Sequence, residues 1–365
     1  MQIPQFNDPL WDTVNNDQRE SWIVELTRLQ LAYMKREIPF YSTFYASISA
    51  NDICSLKDCI TKIPALTKSQ VRQLNSPFDL LSKKYIEQQP KKLLLHRGTG
   101  GTTGQPTSVF FTHGDFRACI EGCSRYYLNL KDELSPIIAF DNYNQGHISA
   151  PYFEALFREL FNCCIITRNF QSSDEDALHQ LVQHRCNAII TPAIATHKGG
   201  SLEDLLDADV RTGTNYINGD NIKIILCSST EVTDELYQEI TDLGIKYVIN
   251  AYGSTDVGGV AWSYATDPRI LNLNFGHITA FVVDDDQRHV KDGERGYLIA
   301  SKIGSYQEDG SIGPFEGTPL LNFHLGDEVT YHANSPLSGV TASAISNPER
   351  VIDIEEKIES GCQVW

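Results

Sequence analysis

The sequence predicts an α/β protein in which a largely parallel sheet, flanked by helices, is followed by a smaller β subdomain. Between residues 136 and 253, apolar strand candidates alternate with amphipathic helix candidates. Repeated β-then-α order is typical of parallel sheets that helices cover on both faces. After Gly259 the pattern changes to short β-rich segments that are separated by glycine turns. A chain of 365 residues is long enough to bury a large core.

The first ninety residues predict a mainly helical segment. Residues 17–38 carry apolar side chains near helical spacing, and Asp17 with Glu20 resembles a capping box. From residue 39 to 90, short predicted helices alternate with proline- and serine-bearing turns, and Thr67 is the expected cap of a helix over 68–74. No pattern in this part of the chain indicates catalysis.

The α/β core follows in regular alternation. Two short β-rich runs at 91–97 and 108–112 flank a loop of glycine and threonine, and a helix is expected over 115–130. In the β subdomain, an acidic hairpin tip is predicted at 284–286. The other predicted elements are strands at 137–140, 163–167, 188–191, 222–227, 246–250, 279–283 and 297–300, and helices at 151–160, 175–185 and 234–243.

The bulk composition argues against several kinds of partner. The formal net charge of −17 repels phosphate backbones and anionic lipid, so we expect no nucleic-acid and no membrane surface. No apolar run reaches the ~18 residues of a membrane span, and the first residues lack a signal-peptide pattern, so we expect a cytoplasmic location. Nine cysteines without CxxC pairs, among them Cys163, Cys164 and Cys227, predict buried reduced thiols and no structural metal.

The stretch from residue 97 to 107 reads RGTGGTTGQPT. Glycines let the backbone turn several N–H groups toward one point, and threonine hydroxyls add donors, a combination that suits a nucleotide phosphate. Two common phosphate loops do not fit, because a Walker loop needs a lysine here and a Rossmann loop needs glycine at Thr103. A flexible glycine–threonine hairpin is the alternative.

This loop resembles the Ser/Thr/Gly-rich signature of the adenylate-forming superfamily, which contains acyl-CoA synthetases, peptide-synthetase adenylation domains and luciferases. Its ending, Gln-Pro-Thr, is similar to the phenylacetate-CoA ligase branch, as are the segments 39–41, 62–64 and 67–68. The resemblance implies that the loop holds the phosphates of ATP. The matching residues are the phosphate ligands Thr99, Thr102 and Thr103, together with Gly101, Gly104 and Pro106.

A second motif, residues 250–256, follows a predicted strand and resembles the superfamily's Tyr-Gly-x-Thr-Glu sequence. The resemblance implies that Tyr252 lies against adenine, that Thr255 contacts the α-phosphate, and that Asp256, in place of glutamate, holds Mg²⁺. The alternative is a polar turn after a buried strand. The other residues that this motif assigns to nucleotide binding are Ala251, Gly253 and Ser254.

A third motif, residues 319–327, resembles the superfamily's Tyr-Arg-Thr-Gly-Asp sequence. The resemblance implies that Asp327 binds both ribose hydroxyls. Two positions depart from the motif, since His324 stands where arginine is expected and Leu325 where threonine is expected. The role of the family arginine therefore does not carry over to this chain.

Two further segments match the family less closely. Ser228 and Ser229 resemble the segment that borders adenine in the phenylacetate branch, and a strand-to-helix cap is an equally good explanation. Tyr143 and His147 fall where the family places its aromatic substrate gate. The alternative for this pair is an ordinary turn at the end of a strand.

The resemblance also implies a domain plan. Arg350 and Asp353 resemble the hinge that precedes a small C-terminal domain in family members, which supplies a lysine for adenylation and which we expect to be absent here. The predicted parts are the N-terminal helical part of the large domain at 1–90, the nucleotide-binding core at 91–259, the β-rich subdomain at 260–345 and the hinge-like remnant at 346–365.

We therefore expect Mg²⁺- and ATP-dependent adenylation of an aromatic carboxylate, which yields an acyl-AMP and pyrophosphate. The chain resembles adenylating proteins of phenazine-antibiotic (griseoluteic acid) biosynthesis and acyl-protein synthetases of fatty-acid reductase complexes. Both resemblances imply a partner reductase or acyl acceptor protein, and the first implies a planar phenazine carboxylate. Three alternatives stay open: a non-catalytic nucleotide- or acyl-binding protein, an acyl-protein synthetase that uses the Cys362 thiol, and a CoA ligase.

Overall fold

The computed structural model describes residues 2–87, 93–98, 108–143, 148–169, 171–194, 200–265, 267–337 and 339–351. The chain divides into two compact units. The first unit comprises Met1–Gly122, Ser254–Val260 and Leu273–Trp365, and the second comprises Cys123–Gly253 and Ala261–Asn272. The predicted fold class is confirmed, since a helix-flanked parallel sheet and a β-rich part are both present.

The helices and strands that the structure describes are numbered here in chain order. The α-helices are α1 (Leu10–Thr13), α2 (Asn16–Glu37), α3 (Pro39–Phe44), α4 (Leu56–Thr61), α5 (Lys68–Arg72), α6 (Lys83–Glu87), α7 (His113–Ser124), α8 (Lys131–Leu134), α9 (Ser149–Leu160), α10 (Asp174–Gln183), α11 (Leu202–Thr212) and α12 (Asp234–Asp242). The strands are β1 (Leu93–Gly98), β2 (Ser108–Thr112), β3 (Ile137–Asp141), β4 (Cys163–Thr167), β5 (Ala188–Pro192), β6 (Ile224–Ser228), β7 (Tyr247–Ser254), β8 (Gly258–Tyr264), β9 (Asp267–Leu273), β10 (Ile278–Val283), β11 (Arg295–Lys302), β12 (Ser305–Tyr306), β13 (Ile312–Gly313), β14 (Phe323–His332) and β15 (Ala344–Arg350).

The second unit contains the parallel sheet. Its strands lie in the order β9-β8-β7-β6-β5-β3-β4, and the pairs from β4 through β7 are parallel. Helices α9, α10, α11 and α12 form the four crossovers between successive parallel strands. Because each crossover returns the chain to the start of the next strand, the carboxyl ends of β3 to β7 meet at one edge. Strands β5 and β6 are buried along their full length, as central parallel strands are.

The sequence located most of these elements to within a few residues. Strand β4 has the predicted bounds, and helix α5 begins after the predicted cap Thr67, whose side chain accepts a hydrogen bond from the Gln70 N–H. Helix α11 is absent from the predicted helices, although Ser201 forms a capping box with Asp204 and Gly213 ends the helix with φ 67°. These start and stop signals were therefore available in the sequence.

Two local predictions are wrong. Helix α2 is capped by Asn15, whose side chain accepts from the Gln18 N–H at 2.9 Å, so Asp17 and Glu20 do not form its capping box. Cys164 is exposed rather than buried, and Cys163 is partly exposed, whereas Cys227 is buried as predicted. The physical reason is that β4 ends the strand order of the parallel sheet, so fewer neighbours cover it.

The first unit contains an antiparallel sheet in the order β10-β11-β14-β15. The acidic residues 284–286 lie in the connection after β10, which confirms the predicted hairpin. Strands β1 and β2 also pair antiparallel, and Gly98 lies opposite Ser108 in their register. No helix among the described residues combines the length and the apolar character that crossing a membrane requires.

Asn322 fastens the N-terminal helical segment of the first unit to strand β14. Its buried side-chain amide donates to the carbonyl oxygens of Cys59 and Ile63, each at 2.8 Å. The backbone carbonyl of Asn322 accepts a hydrogen bond from the Leu66 N–H at 3.1 Å, and the φ angle of Asn322 is 46°. The carbonyls of Cys59 and Ile63 therefore both accept from this one side chain. Its loss would leave a buried hydrogen bond unmade at each carbonyl, which is costly.

We predict that Asn322→Ala lowers the free energy of unfolding by about 2–4 kcal/mol, since it leaves two buried carbonyls without their donor. The matched control is Asn215→Ala, which shares the positive φ of 50° but lies exposed, and which should cost only about 1 kcal/mol from its left-handed backbone. Urea denaturation of both variants measures the difference. Equal losses would show that backbone conformation, and not the amide, sets the cost.

Candidate functional site

Five of the predicted site residues lie at the carboxyl edge of the parallel sheet in the second unit. Ser228 ends β6, Ser229 follows it, Ala251 and Tyr252 lie near the end of β7, and Tyr143 follows β3. In the strand register Ser228 lies opposite Ala251. The strand order reverses between β3 and β5, and ligands of open α/β sheets bind outside the carboxyl ends near such a reversal.

Tyr143 joins two parts of this edge. Its side chain is buried, its hydroxyl donates to the Ser228 carbonyl at 2.8 Å, and its ring lies 5.7 Å from the ring of Phe153. Burial raises the pKa of the Tyr143 phenol well above its ordinary value, so the phenol is a neutral donor. Tyr143 thus links the ends of β3 and β6, and its stacking on a substrate stays a prediction.

Ser228 and Ser229 do not cap helix α12. The cap is Thr233, whose side chain accepts from the Leu236 N–H at 3.2 Å, so the alternative explanation of these serines as a strand-to-helix cap is wrong. Ser229 is exposed and has a φ of 74°, a left-handed conformation that is uncommon for a residue with a Cβ atom. Ser229 is therefore an exposed serine in the turn after β6, and it does not cap helix α12.

Asp256 and Thr255 lie in the first unit, just after β7, and both are buried. Asp256 forms an ion pair with Lys68 at the start of α5, with 3.4 Å between its Oδ2 and the lysine Nζ. Ser254 accepts a hydrogen bond from the Val257 N–H at 3.4 Å, which closes the turn around these residues. The predicted metal ligand therefore carries a cationic partner that the sequence did not reveal.

The predicted role of Asp256 as a metal ligand stays a prediction. Among the residues that the structure describes, no group of three or more His, Cys, Asp or Glu side chains is arranged to hold a metal. Magnesium at nucleotide sites takes one or two carboxylates and completes its shell with phosphate oxygens and water. A single carboxylate such as Asp256 suits that arrangement.

Asp327 is held by strand β15. Its Oδ1 lies 3.3 Å from the Nε of Arg350, which is its register partner and which also donates to the Leu325 carbonyl at 2.6 Å. Gly326 precedes Asp327 with φ 83°, inside an irregular stretch of the β11–β14 pairing. Such irregularities aim a side chain away from the regular pleat and are common beside active sites.

His324 cannot supply the positive charge of the arginine that it replaces. Its ring is buried, its Nε2 lies 3.2 Å from the amide nitrogen of the buried Gln287, and burial lowers the pKa of the imidazole to about 4. Desolvation disfavours the charged form, so His324 is neutral at physiological pH. The departure from the family motif therefore removes a cation from this segment.

Several predicted residues lie outside the described part of the chain. The flanking strands β1 and β2 are present as predicted, but the loop residues themselves and the end of the chain are not described. These residues are Thr99, Gly101, Thr102, Thr103, Gly104, Pro106, His147, Asp353 and Cys362.

A family model described as AMP-binding enzyme matches residues 49–306. The match covers more than half of the chain and includes both the loop 97–107 and the motif 250–256. The chain belongs to the AMP-binding enzyme family. This membership confirms the predicted enzyme class, an adenylate-forming ligase. A search of curated proteins gives no match.

Solved structures of similar fold accord with the family. A 2-hydroxyisobutyryl-CoA ligase in the postadenylation state superposes with a TM-score of 0.78 at 16% identity, over 94% of this chain and 70% of that chain. The same ligase in the thioesterification state gives 0.76 at 17% identity, over 95% and 72%. A luciferase-like enzyme from the mealworm Zophobas morio gives 0.50 at 15% identity, over 72% and 59%. These likenesses show the fold.

Lys302 is a buried cation of this AMP-binding enzyme that the sequence analysis missed. It ends β11, donates to the Thr318 carbonyl at 2.9 Å, and has its Nζ 5.0 Å and 4.7 Å from the ring centroids of Phe111 and Phe315. Desolvation lowers the pKa of its ammonium to about 8, while the nearby Asp115 and Asp256 act in the opposite direction. A lone lysine in the apolar segment 297–303 was the available signal.

We predict that Lys302→Met removes part of the pH dependence of stability. Since the folded state releases the proton of Lys302 near pH 8 and the unfolded state near 10.5, the unfolded chain binds more protons between these values, and wild-type stability rises with pH there. Across this pH range the free energy of unfolding of wild type increases by an amount on the order of 3 kcal/mol.

Urea denaturation at pH 7, 8, 9 and 10 measures this effect. The stability of Lys302→Met relative to wild type should fall steadily across the series, while the exposed control Lys291→Met should follow wild type. A Lys302→Met profile parallel to that of wild type would contradict the assigned pKa.

Proposed function

We propose that this AMP-binding enzyme adenylates an aromatic carboxylate with Mg·ATP and releases pyrophosphate. The observation that carries the proposal is the family match over residues 49–306, which spans the phosphate-loop motif and the Tyr252–Asp256 motif in their family order. The 2-hydroxyisobutyryl-CoA ligase structures of similar fold contain 2-HIB-AMP, an acyl-adenylate. An acyl-adenylate is the product that we propose here.

In this proposal the motif residues of the sequence hold the nucleotide. Thr99, Thr102 and Thr103, with the loop glycines, hold the phosphates, Thr255 contacts the α-phosphate, and Asp256 contacts the magnesium of Mg·ATP. Asp327 binds the ribose hydroxyls. The segments proposed to surround adenine consist of Ser228, Ser229, Ala251, Tyr252, Gly253 and Ser254.

The proposed chemistry needs positioning and charge stabilisation more than covalent participation. The substrate carboxylate attacks the α-phosphorus, the bond to the β-phosphate oxygen breaks, and negative charge develops on the departing pyrophosphate. Fixed N–H donors and cations that face this charge lower the barrier, and holding the two reactants in line removes an entropic cost. The glycine-threonine loop supplies the donors in this scheme.

The aromatic acyl group of this proposal rests on the sequence position of Tyr143 and His147, where the family places its aromatic substrate gate. Tyr143 itself lies in a cluster of buried aromatic rings. The ring of Trp262 lies 6.0 Å from that of Phe153, and Phe153 in turn contacts Tyr143. Aromatic rings recognise flat ligands by stacking and edge contacts. We propose that Tyr143 and His147 contact the acid, and that a planar phenazine carboxylate is one member of the substrate class.

The activated acid then needs an acceptor. We propose that a partner reductase or acyl acceptor protein consumes the acyl-adenylate in the cytoplasm, with the thiol of Cys362 as an alternative acceptor within the chain. The cysteines that the structure describes are free thiols, in keeping with a reducing compartment.

A second candidate function is nucleotide binding without catalysis. The neutral His324 favours it, because a cation that the family motif supplies near the ribose ligand is missing. The two candidates differ in one measurement: a nucleotide-binding protein binds ATP and never produces pyrophosphate from it.

The deciding experiment is ATP–pyrophosphate exchange with a panel of aryl carboxylates that includes phenazine carboxylates. We expect acid-dependent exchange that requires Mg²⁺. No exchange with any acid, in the presence and absence of a candidate reductase, would refute the proposed function.

Asp327→Ala tests the ribose assignment. We predict that it weakens ATP and AMP binding by about 10- to 100-fold, the loss expected for hydrogen bonds to a charged group. The control is Asp285→Ala, an exposed aspartate on the hairpin after β10, which should leave both affinities unchanged. Isothermal titration calorimetry gives both values, and unaltered affinities in Asp327→Ala would exclude the role.

A further inference from the structure

Lys68 is tied to the strand that carries the proposed ribose ligand. Leu66, two residues before it, forms a parallel bridge with Phe323 of β14. Its N–H donates to the Asn322 carbonyl at 3.1 Å, and its carbonyl accepts from the His324 N–H at 3.0 Å. The segment before Lys68 thus runs alongside β14, which continues to Asp327, so one set of backbone hydrogen bonds positions both residues.

The backbone of Lys68 is also fixed by its own helix. Lys68 is the first residue of α5, directly after the cap residue Thr67. Thr67 and Gln70 form a reciprocal capping box, in which the Thr67 N–H donates to the Gln70 side chain at 2.9 Å. Thr67 is itself buried. The backbone position from which the Lys68 side chain extends is therefore fixed by this cap.

The side chain of Lys68 extends to Asp256, the residue proposed to contact magnesium. The ion pair is largely buried, with 17% of the lysine side chain and 4% of the aspartate side chain exposed. At 3.4 Å it is longer than the ~2.7–2.9 Å of a short charge-assisted hydrogen bond. The ammonium has three donors, and this loose contact leaves it able to bind a second anion.

The surroundings explain why Asp256 holds the lysine. A buried carboxylate needs a cationic or hydrogen-bonding partner, because removal from water is costly. The fully buried Lys302 also interacts electrostatically with Asp256, which adds positive charge beside it. Lys68 is the more accessible of these two lysines, since Lys302 is enclosed by Phe111 and Phe315.

We infer that Lys68 binds the β- and γ-phosphates of ATP, and that in the nucleotide-free chain Asp256 holds its ammonium in place. The inference rests on the proposed function. Thr255, which is assigned to the α-phosphate, immediately precedes Asp256 in the sequence. The ammonium of Lys68, which pairs with Asp256, is therefore expected to lie near the phosphates of the bound nucleotide. The polyphosphate of Mg·ATP attracts the ammonium more strongly than one carboxylate does, and the contact with Asp256 loosens as the nucleotide enters.

The first test compares ATP with AMP, which lacks the β- and γ-phosphates. Isothermal titration calorimetry should show that Lys68→Ala weakens ATP binding by about 10- to 100-fold while AMP binding stays within about twofold. Lys68→Arg keeps the charge and should retain most of the ATP affinity. An equal loss for ATP and AMP, or no loss for either, would overturn the assignment.

The matched control is Lys62→Ala. Lys62 also pairs with an aspartate in the N-terminal helical segment, at 2.8 Å, but that partner is Asp58 and the lysine side chain is half-exposed. Its loss should change neither affinity. A similar ATP-selective loss in Lys62→Ala would show a general effect of removing positive charge and would overturn the specific role.

A second variant guards against misfolding. Lys68→Ala leaves the buried Asp256 without its cation, so the double variant Lys68→Ala/Asp256→Asn removes both charges and should recover stability in urea denaturation. Both the double variant and the single variant Asp256→Asn are titrated with metal-free ATP, which removes the proposed magnesium contact from the comparison. The double variant should bind this ATP more weakly than Asp256→Asn does, while the two bind AMP equally. Equal ATP affinities would show that Lys68 serves only to neutralise Asp256.

The outcomes separate this inference from the proposed function. If wild type exchanges pyrophosphate and Lys68→Ala binds ATP as wild type does, the inference fails and the proposed function stands. If wild type binds ATP but no acid supports exchange, the proposed function fails, and the ATP-to-AMP comparison still decides the role of Lys68. Wild type that binds neither nucleotide would overturn both.

Discussion

The in-register pairing of parallel strands is the constraint on which the second unit depends. Parallel neighbours cannot be joined by a short turn, so each strand from β3 to β6 is followed by a crossover helix that returns the chain to the same end of the sheet. The register places Pro192 opposite Ser228 and Ser228 opposite Ala251. A slip of one residue would reverse the face of every side chain, and the polar residues at the carboxyl edge would no longer be neighbours.

Most of the fold was predictable because its signals are local. The apolar run of β4 and the cap at Thr67 are each contained in a few consecutive residues, and both predictions are confirmed. Helix α11 was predictable in principle, since Ser201 and Gly213 carry its start and stop signals. The exposure of Cys164 was not, because it depends on the position of β4 at the end of the strand order, which no stretch of sequence encodes by itself.

The candidate site was predictable only as separate motifs. Family motifs pointed to Asp256 and Asp327, but the sequence did not indicate that their partners are Lys68 and Arg350. The pairing of Lys68 with Asp256 joins residues that are far apart in the sequence. Tertiary contacts of this kind leave no periodicity or spacing in the sequence, so only the structure shows how each carboxylate is compensated.

The hydrogen bond from the Tyr143 hydroxyl to the Ser228 carbonyl has a thermodynamic consequence. It makes the turn after β3 and the turn after β6 mechanically dependent on each other, and the proposed acid and nucleotide contacts are divided between these turns. A ligand that displaces one turn must strain or break this bond, so its free energy of binding includes a contribution from the other turn. By linkage the effect is mutual: whatever factor the nucleotide imposes on acid affinity, the acid imposes on nucleotide affinity.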